Sequence, residues 1–286
     1  MSSIKRVGIV GSGTMGSGIA EVVSKSGYEV VLRSRTQDGA DRMITGLEKS
    51  LAKQVDKGRL EAADRDATLG RCRGVCDLDE LADCDLVVES VVEDLAVKKE
   101  LFTTLDRICG DHAILATNTS TLPVVDMAVA TSRPGQVVGI HFFNPAPMMA
   151  LVEVVRAITS TDETVDAALA FAKSCGKDPI EVRDVAGFVV NALLFPYLNS
   201  AVRLLERGVA SQEDIDSAMK AGANMPMGPF ALIDLVGIDV TVSILDALHQ
   251  ENPDPFLQPA QHLRRMLSAG RLGRKSGQGF YDYTKR

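Results

Sequence analysis

The chain has 286 residues, of which 45% are hydrophobic and 24% charged, with a formal net charge of −7. That length suits two domains, or one large and one small, and the acidic balance argues against nucleic acid or an anionic membrane as the main partner, so an anionic ligand has to be caught by a local basic patch. Five cysteines without CxxC spacing and four scattered histidines read as reduced thiols of a cytoplasmic protein, with no disulfide framework and no metal site, and no targeting signal or membrane-spanning apolar run is visible.

Residues 4–10 predict a strand, Gly11-Ser12-Gly13-Thr14-Met15-Gly16 a tight turn, the run to Gly27 a helix, and residues 28–32 a second strand. This order binds a dinucleotide. Gly11 allows the turn, Gly13 lets the backbone approach a pyrophosphate, and Gly16 lets the helix pack close to the strand. The helix N-terminus then offers unpaired N–H groups to the phosphates. The second strand ends in Arg33-Ser34-Arg35-Thr36. An acidic residue at this tip grips the ribose 2′-OH of NAD(H) and repels a 2′-phosphate. Ser34 can instead donate to that phosphate and Arg35 can pair with it bidentately. The tip therefore favours NADP(H), with NAD(H) as the alternative if Arg33 and Arg35 are only solvated loop charges.

A polar helical segment at 38–57, broken by Gly58, and a second helix at 61–71 are longer than an ordinary crossover and read as a projecting arm. Strands follow near 74–76, 85–89, 113–118, 137–141, 151–155 and 179–183, with helices at 95–109 and 163–175 between them. Beyond Asp184-Val185-Ala186-Gly187 the strand-like runs stop. Helical periodicity takes over at 188–206, 212–221, 239–250 and 259–269, with Asn224 to Pro229 a rigid turn. The expected fold is α/β: a Rossmann-type, mainly parallel sheet with a projecting helical arm at about 38–71, followed by a smaller all-helical domain. The boundary is placed at 1–185 for the dinucleotide-binding domain and 186–286 for a substrate and dimerisation domain. A helical unit of that size buries little surface alone, which favours a homodimer.

His141 closes a predicted strand at the edge where open α/β sheets bind ligands. If residues 144–149 turn the chain back, the midpoint falls at 147 and Glu153 returns beside His141. A carboxylate there would orient an imidazole for acid–base work; the alternative is a satisfied structural histidine and a surface glutamate. Asn118-Thr119-Ser120-Thr121 reaches the same edge and reads equally as ligand-binding polar groups or as a helix N-cap. Asn191 is either a substrate ligand or a backbone-satisfied buried amide. Ser50, Lys53 and Lys57 share one helical face of the arm, which could grip substrate phosphates or simply be solvated.

Taken together, the glycine turn, Val87 to Glu93, Asn118 to Ser120, His141 to Pro145, Glu153, Gly187 to Asn191, Met227 to Pro229 and Gly273 to Tyr281 resemble the 3-hydroxyacyl-CoA dehydrogenases, in particular the short bacterial 3-hydroxybutyryl-CoA dehydrogenases. The resemblance implies that His141 is the acid–base catalyst and Glu153 its orienting partner. It places Ser120, Asn144 and Asn191 around the substrate, and Glu93, Lys98, Asn118, Ser120 and Lys275 in the cofactor site. It puts Ser50, Lys57 and Lys53 against CoA, and implies a dimer through the helical domain and the (S) configuration. Three positions depart from the family pattern: Ser34 replaces the acidic residue of the NAD-using members, Thr121 the second serine, and Met225 the usual histidine. The alternatives are a sister dehydrogenase acting on a carrier-protein-bound or small hydroxy acid, and a non-catalytic dinucleotide-binding protein.

Overall fold

The apolar runs at 7–10, 30–32 and 86–88 are wholly buried, as parallel strands covered by helices on both faces require. A computed structural model describes residues 4–284 and divides after Asp184 into two compact units. The first contains β1 (Arg6–Val10), α1 (Thr14–Lys25), β2 (Glu29–Arg33), α2 (Gln37–Asp56), α3 (Ala62–Gly70), β3 (Cys72–Val75), β4 (Leu86–Glu89), α4 (Leu95–Ile108), β5 (Ile114–Thr117), α5 (Val124–Ala128), β6 (Val137–Phe142), β7 (Leu151–Arg156), α6 (Asp162–Ser174) and β8 (Asp178–Arg183).

The eight strands form one sheet in the order β3-β2-β1-β4-β5-β6-β7-β8. Only the β6–β7 pairing is antiparallel. The strand order reverses at β1, with β2 on one side and β4 on the other, which opens a crevice at the carboxyl ends of β1 and β4. Ile19 and Val23 of α1 and Phe171 of α6 close the sheet face over Val7, Ile9, Val88, Ile140 and Val154. Each such side chain, taken fully out of water, contributes about 1.5–3 kcal/mol.

The segment inserted between β2 and β3 is the α2–α3 pair. Met43, Leu47 and Leu51 bury the inner face of α2. Glu21 of α1, itself buried, accepts from Ser50 Oγ at 2.6 Å and from Gln54 Nε2 at 2.8 Å. The C-terminal part of α2 is thus tied to α1.

The second unit is helical: α7 (Val190–Glu206), α8 (Gln212–Gly222), α9 (Pro229–Val236), α10 (Ile238–Glu251) and α11 (Gln261–Ser268), packed around Leu198, Val202, Phe230, Ile233 and Leu245. Two buried aspartates organise it. Asp216 accepts from the N–H groups of Phe230 and Ala231 at the start of α9, and Asp234 from those of Phe280 and Tyr281. A Cβ at Gly228 would lie 2.3 Å from the Asp216 carboxyl carbon, and one at Gly279 2.0 Å from Asp234 Oδ1. The Met-Gly-Pro and Gly-Gln-Gly-Phe-Tyr motifs are therefore glycine approaches to buried carboxylates. Two helices have no range in the sequence reading. α9 is apolar on nearly every side, so it carries no 3.6-residue stripe. α5 is a single short turn capped by Asp184, whose carboxylate accepts from Val124 and Val125 N–H.

Candidate active site

The turn after β1 is built for close approach. Gly11 has φ +130°, and a Cβ on it would fall 2.2 Å from the Ser90 carbonyl oxygen. A Cβ on Gly16 would fall 2.0 Å from the Gly11 carbonyl oxygen. At Gly13 a Cβ would meet nothing within 4 Å, so the backbone there faces open space. Gly13, the N-cap of α1, gives its first turn no side-chain cap. Uncapped N–H groups beside an open backbone surface fit a pyrophosphate. From this turn a cleft of about 480 Å³ extends between Arg33, Ser34 and Arg35 on one side and Val92, Val97 and Leu101 on the other. A dinucleotide's adenosine half fits this corner of apolar wall and basic rim. Ser34, however, is only 5% exposed, and its hydroxyl lies against Gly39 in the first turn of α2.

The ends of β4 and β5 are joined by a buried charge cluster. Lys98, 1% exposed, donates to both carboxylate oxygens of Glu89, at 2.8 and 2.9 Å, and pairs with Glu93 at 3.0 Å. Glu89 also accepts from Thr117 Oγ1 and Val91 N–H, and Glu93 accepts from Thr119 Oγ1 and Ser120 N–H. Burial raises the Glu93 carboxyl, but the Lys98 charge and the hydrogen bonds from Thr119, Lys98 and Ser120 outweigh it and hold it below the ordinary glutamate value. Lys98 is one of the residues expected in the cofactor site. Its ammonium is enclosed by the two glutamates and sets the position of the loops that carry Glu93 and Ser120. Asn118 also works on the scaffold, since its Oδ1 accepts from Phe142 N–H at 2.8 Å and links β5 to β6.

His141 and Glu153 are direct partners in the antiparallel β6–β7 register. The imidazole Nδ1 is 2.8 Å from Glu153 Oε2, and Glu153 is wholly buried. Phe143 packs on the His141 ring with centroids 4.5 Å apart. The loop between the strands, residues 143–150, carries Asn144 exposed at its start. Lys177, absent from the sequence reading, holds this loop from below: its buried ammonium donates to the carbonyls of Ala146 at 2.6 Å and Met149 at 2.8 Å. Only its place just before β8 could have pointed to it.

On the arm, Lys53 and Lys57 are exposed while Ser50 is turned inward to Glu21. Ser50 and Lys53 lie on α2 and Lys57 is its C-cap residue, with the Ser50 hydroxyl engaged by Glu21 and the two lysines free toward solvent. In the helical unit, Asn191 is buried in the first turn of α7, and Lys275 pairs with Asp239. Among the described residues no group of three or more metal-ligating side chains is assembled, and no helix is long and apolar enough to cross a membrane.

An open sheet with an uncapped glycine turn at its switch point, and a buried imidazole–carboxylate pair at the same carboxyl edge, has the build of an NAD(P)-dependent oxidoreductase. Residues 6–185 match the NAD binding domain of 3-hydroxyacyl-CoA dehydrogenase, and residues 187–283 match its C-terminal domain. A 3-hydroxybutyryl-CoA dehydrogenase of Clostridioides difficile is 44% identical over 280 residues, 98% of this chain and 100% of that protein. The crystal structure of Mycobacterium tuberculosis FadB2 superposes with a TM-score of 0.96 at 45% identity, covering 99% of this chain and 100% of that one. That of a Ralstonia eutropha (S)-3-hydroxybutyryl-CoA dehydrogenase gives 0.96 at 41%, with the same coverage. The chain belongs to the 3-hydroxyacyl-CoA dehydrogenase family.

Proposed function

We propose that the chain interconverts (S)-3-hydroxybutyryl-CoA and acetoacetyl-CoA with NADP(H) as the preferred cofactor. The observation that carries the reaction is the His141–Glu153 pair at the sheet's carboxyl edge. The bound dinucleotide supplies a hydride acceptor or donor at nicotinamide C4. In oxidation His141 takes the proton of the C3 hydroxyl at Nε2, because Nδ1 is engaged by Glu153. In reduction the imidazolium returns a proton to the developing alkoxide. The Glu153 carboxylate stabilises the imidazolium in both directions; a hydrogen bond to a charged group of this kind contributes about 1.5–3 kcal/mol. Ser120, Asn144 and Asn191 hold the acyl oxygens, Glu93, Lys98, Asn118, Ser120 and Lys275 support the cofactor, and Lys53 and Lys57 meet the CoA phosphates, with Ser50 joining them if it leaves Glu21.

The cofactor preference rests on the absence of a carboxylate at Ser34 and on the guanidinium of Arg35 beside the cleft. The dinucleotide-binding domain is assigned to 1–185 and the substrate domain to 186–286. The enzyme works in the cytoplasm as a dimer whose contact uses the helical domain, where Leu193 leaves 72% of its surface exposed.

The test is an absorbance assay with acetoacetyl-CoA and either NADPH or NADH, on the wild type and on Ser34→Asp combined with Arg35→Ala. The wild type is expected to favour NADPH and the double variant to lose or invert that preference. No turnover with either cofactor would refute the reaction, and equal use of both by the wild type would refute the cofactor assignment alone.

A further inference from the structure

Arg33 is the last residue of β2, in register with Val10 of β1 and Val75 of β3. Its carbonyl accepts from Gly11 N–H at 3.1 Å, so its backbone borders the glycine turn directly. The ladder continues one residue further, with Ser34 N–H donating to the Val75 carbonyl at 3.0 Å. An extended chain sends alternate side chains to opposite sides. The Ser34 hydroxyl is pressed against Gly39 on the α2 side, and Arg33 on the strand before it points to the opposite side. Ser34 and both arginines line the cleft.

Their charges are poorly compensated. Among the described residues neither forms an ion pair within 4.0 Å, a state they share with other arginines of the chain, but these two lie side by side on one cleft. Arg33 donates from Nε to the Cys76 carbonyl at 3.3 Å, which leaves its two terminal nitrogens for a ligand. Burial lowers the Arg33 guanidinium below its ordinary value, the like charge of Arg35 lowers it further, and Cys76 and Asp77 oppose the shift. The like charges of half-buried Arg33 and exposed Arg35 repel each other until an anion enters between them.

We propose that Arg33 and Arg35 together form the subsite for the 2′-phosphate of NADP(H), with Arg33 as a specificity-determining residue. Ser34 acts by lacking a carboxylate and not by holding the phosphate. The proposal rests on the NADP(H) reading above and adds to it a division of labour along the strand tip. Arg33 is anchored through Nε and presents its terminal nitrogens from the buried side. Arg35 closes the site from solvent. A guanidinium matches a phosphate bidentately in a way an ammonium does not.

The experiment is calorimetric titration of the intact protein with 2′,5′-ADP and with 5′-AMP, for the wild type and for Arg33→Gln, Arg33→Lys and Arg35→Gln, alongside kcat/KM with NADPH and NADH. Arg33→Gln and Arg35→Gln are each expected to weaken 2′,5′-ADP about 10- to 100-fold and to leave 5′-AMP within about twofold, with the NADPH-to-NADH ratio falling in step. Arg33→Lys keeps the charge and guards against a folding defect; it is expected to fall between the wild type and the glutamine variant. If Arg33→Gln leaves 2′,5′-ADP unchanged while Arg35→Gln weakens it, Arg33 is no part of the subsite and the cofactor reading survives. If Arg33→Gln weakens 5′-AMP equally, the residue serves the adenosine or the fold and the proposal fails. A wild type that binds both ligands alike overturns the cofactor reading and this inference together.

Discussion

His141 and Glu153 are twelve residues apart in the chain and face each other as register partners across the β6–β7 pair, with 2.8 Å between Nδ1 and Oε2. The geometry assigns different losses to the two side chains. General acid–base transfer contributes about 10²–10⁴-fold, so His141→Ala is expected to cut kcat by that factor while the dissociation constant for NADPH stays near the wild-type value. Glu153→Gln keeps the shape and a hydrogen-bonding atom but removes the buried charge that stabilises the imidazolium. Its kcat is expected to fall by at least about tenfold. Stopped-flow turnover and fluorescence titration of the cofactor separate the two quantities. Near-normal turnover in His141→Ala would falsify the assignment.

The glycine turn yields a prediction in which stability and binding part company. Gly11 has a positive φ and no room for a Cβ beside the Ser90 carbonyl, whereas Gly13 has open space before it. Gly11→Ala should lower the thermal midpoint, since a strained backbone conformation alone costs on the order of 1–3 kcal/mol and the overlap adds to it. Gly13→Val should melt near the wild type and lose dinucleotide affinity, because its side chain occupies the space the pyrophosphate would use. A Gly13→Val protein that binds NADPH normally would contradict the placement of the phosphates.

Lys177 is expected to act on the substrate loop without touching the substrate. Lys177→Met deprives two carbonyls of their donor, and an unsatisfied buried acceptor costs about 1–3 kcal/mol. With the loop at 143–150 released, KM for acetoacetyl-CoA should rise and kcat fall, while cofactor affinity holds and Lys177→Arg recovers part of the loss. A uniform loss of both substrate and cofactor binding would instead mark Lys177 as a general support of the fold.

The features readable in the sequence are those whose partners are nearby or repeat with a simple period. The turn from Gly11 to Gly16 lies between a strand and a helix, and the return of Glu153 to His141 follows from counting about a turn centred near residue 147. Other features depend on contacts that the local sequence does not show. α5 begins where it does because Asp184 caps it from 60 residues away. Lys98 is placed near the cofactor by resemblance alone, and nothing local shows that the carboxylates of Glu89 and Glu93 close over it. Ser34 and Ser50 both look like ligand hydroxyls, and both turn out to face the scaffold, one against Gly39 and the other against Glu21. Side-chain direction at a strand tip and on a half-buried helix face depends on the neighbour, which only the folded chain supplies.

The same cluster predicts the acid limb of stability. The Glu93 carboxyl lies below its ordinary value in the folded protein, so its interactions stabilise the fold above the unfolded carboxylate range, near pH 4.3. That contribution is lost as the pH falls through the folded value. The side chain remains 37% exposed, and solvent screening keeps the contribution below about 1 kcal/mol. Glu93→Gln should therefore melt slightly below the wild type at pH 7, and the gap should close as the pH is lowered from 5 to 3. Thermal midpoints measured across that range decide the matter: two curves that stay parallel down to pH 3 would mean that the Lys98 cluster holds Glu93 without favouring its charged form.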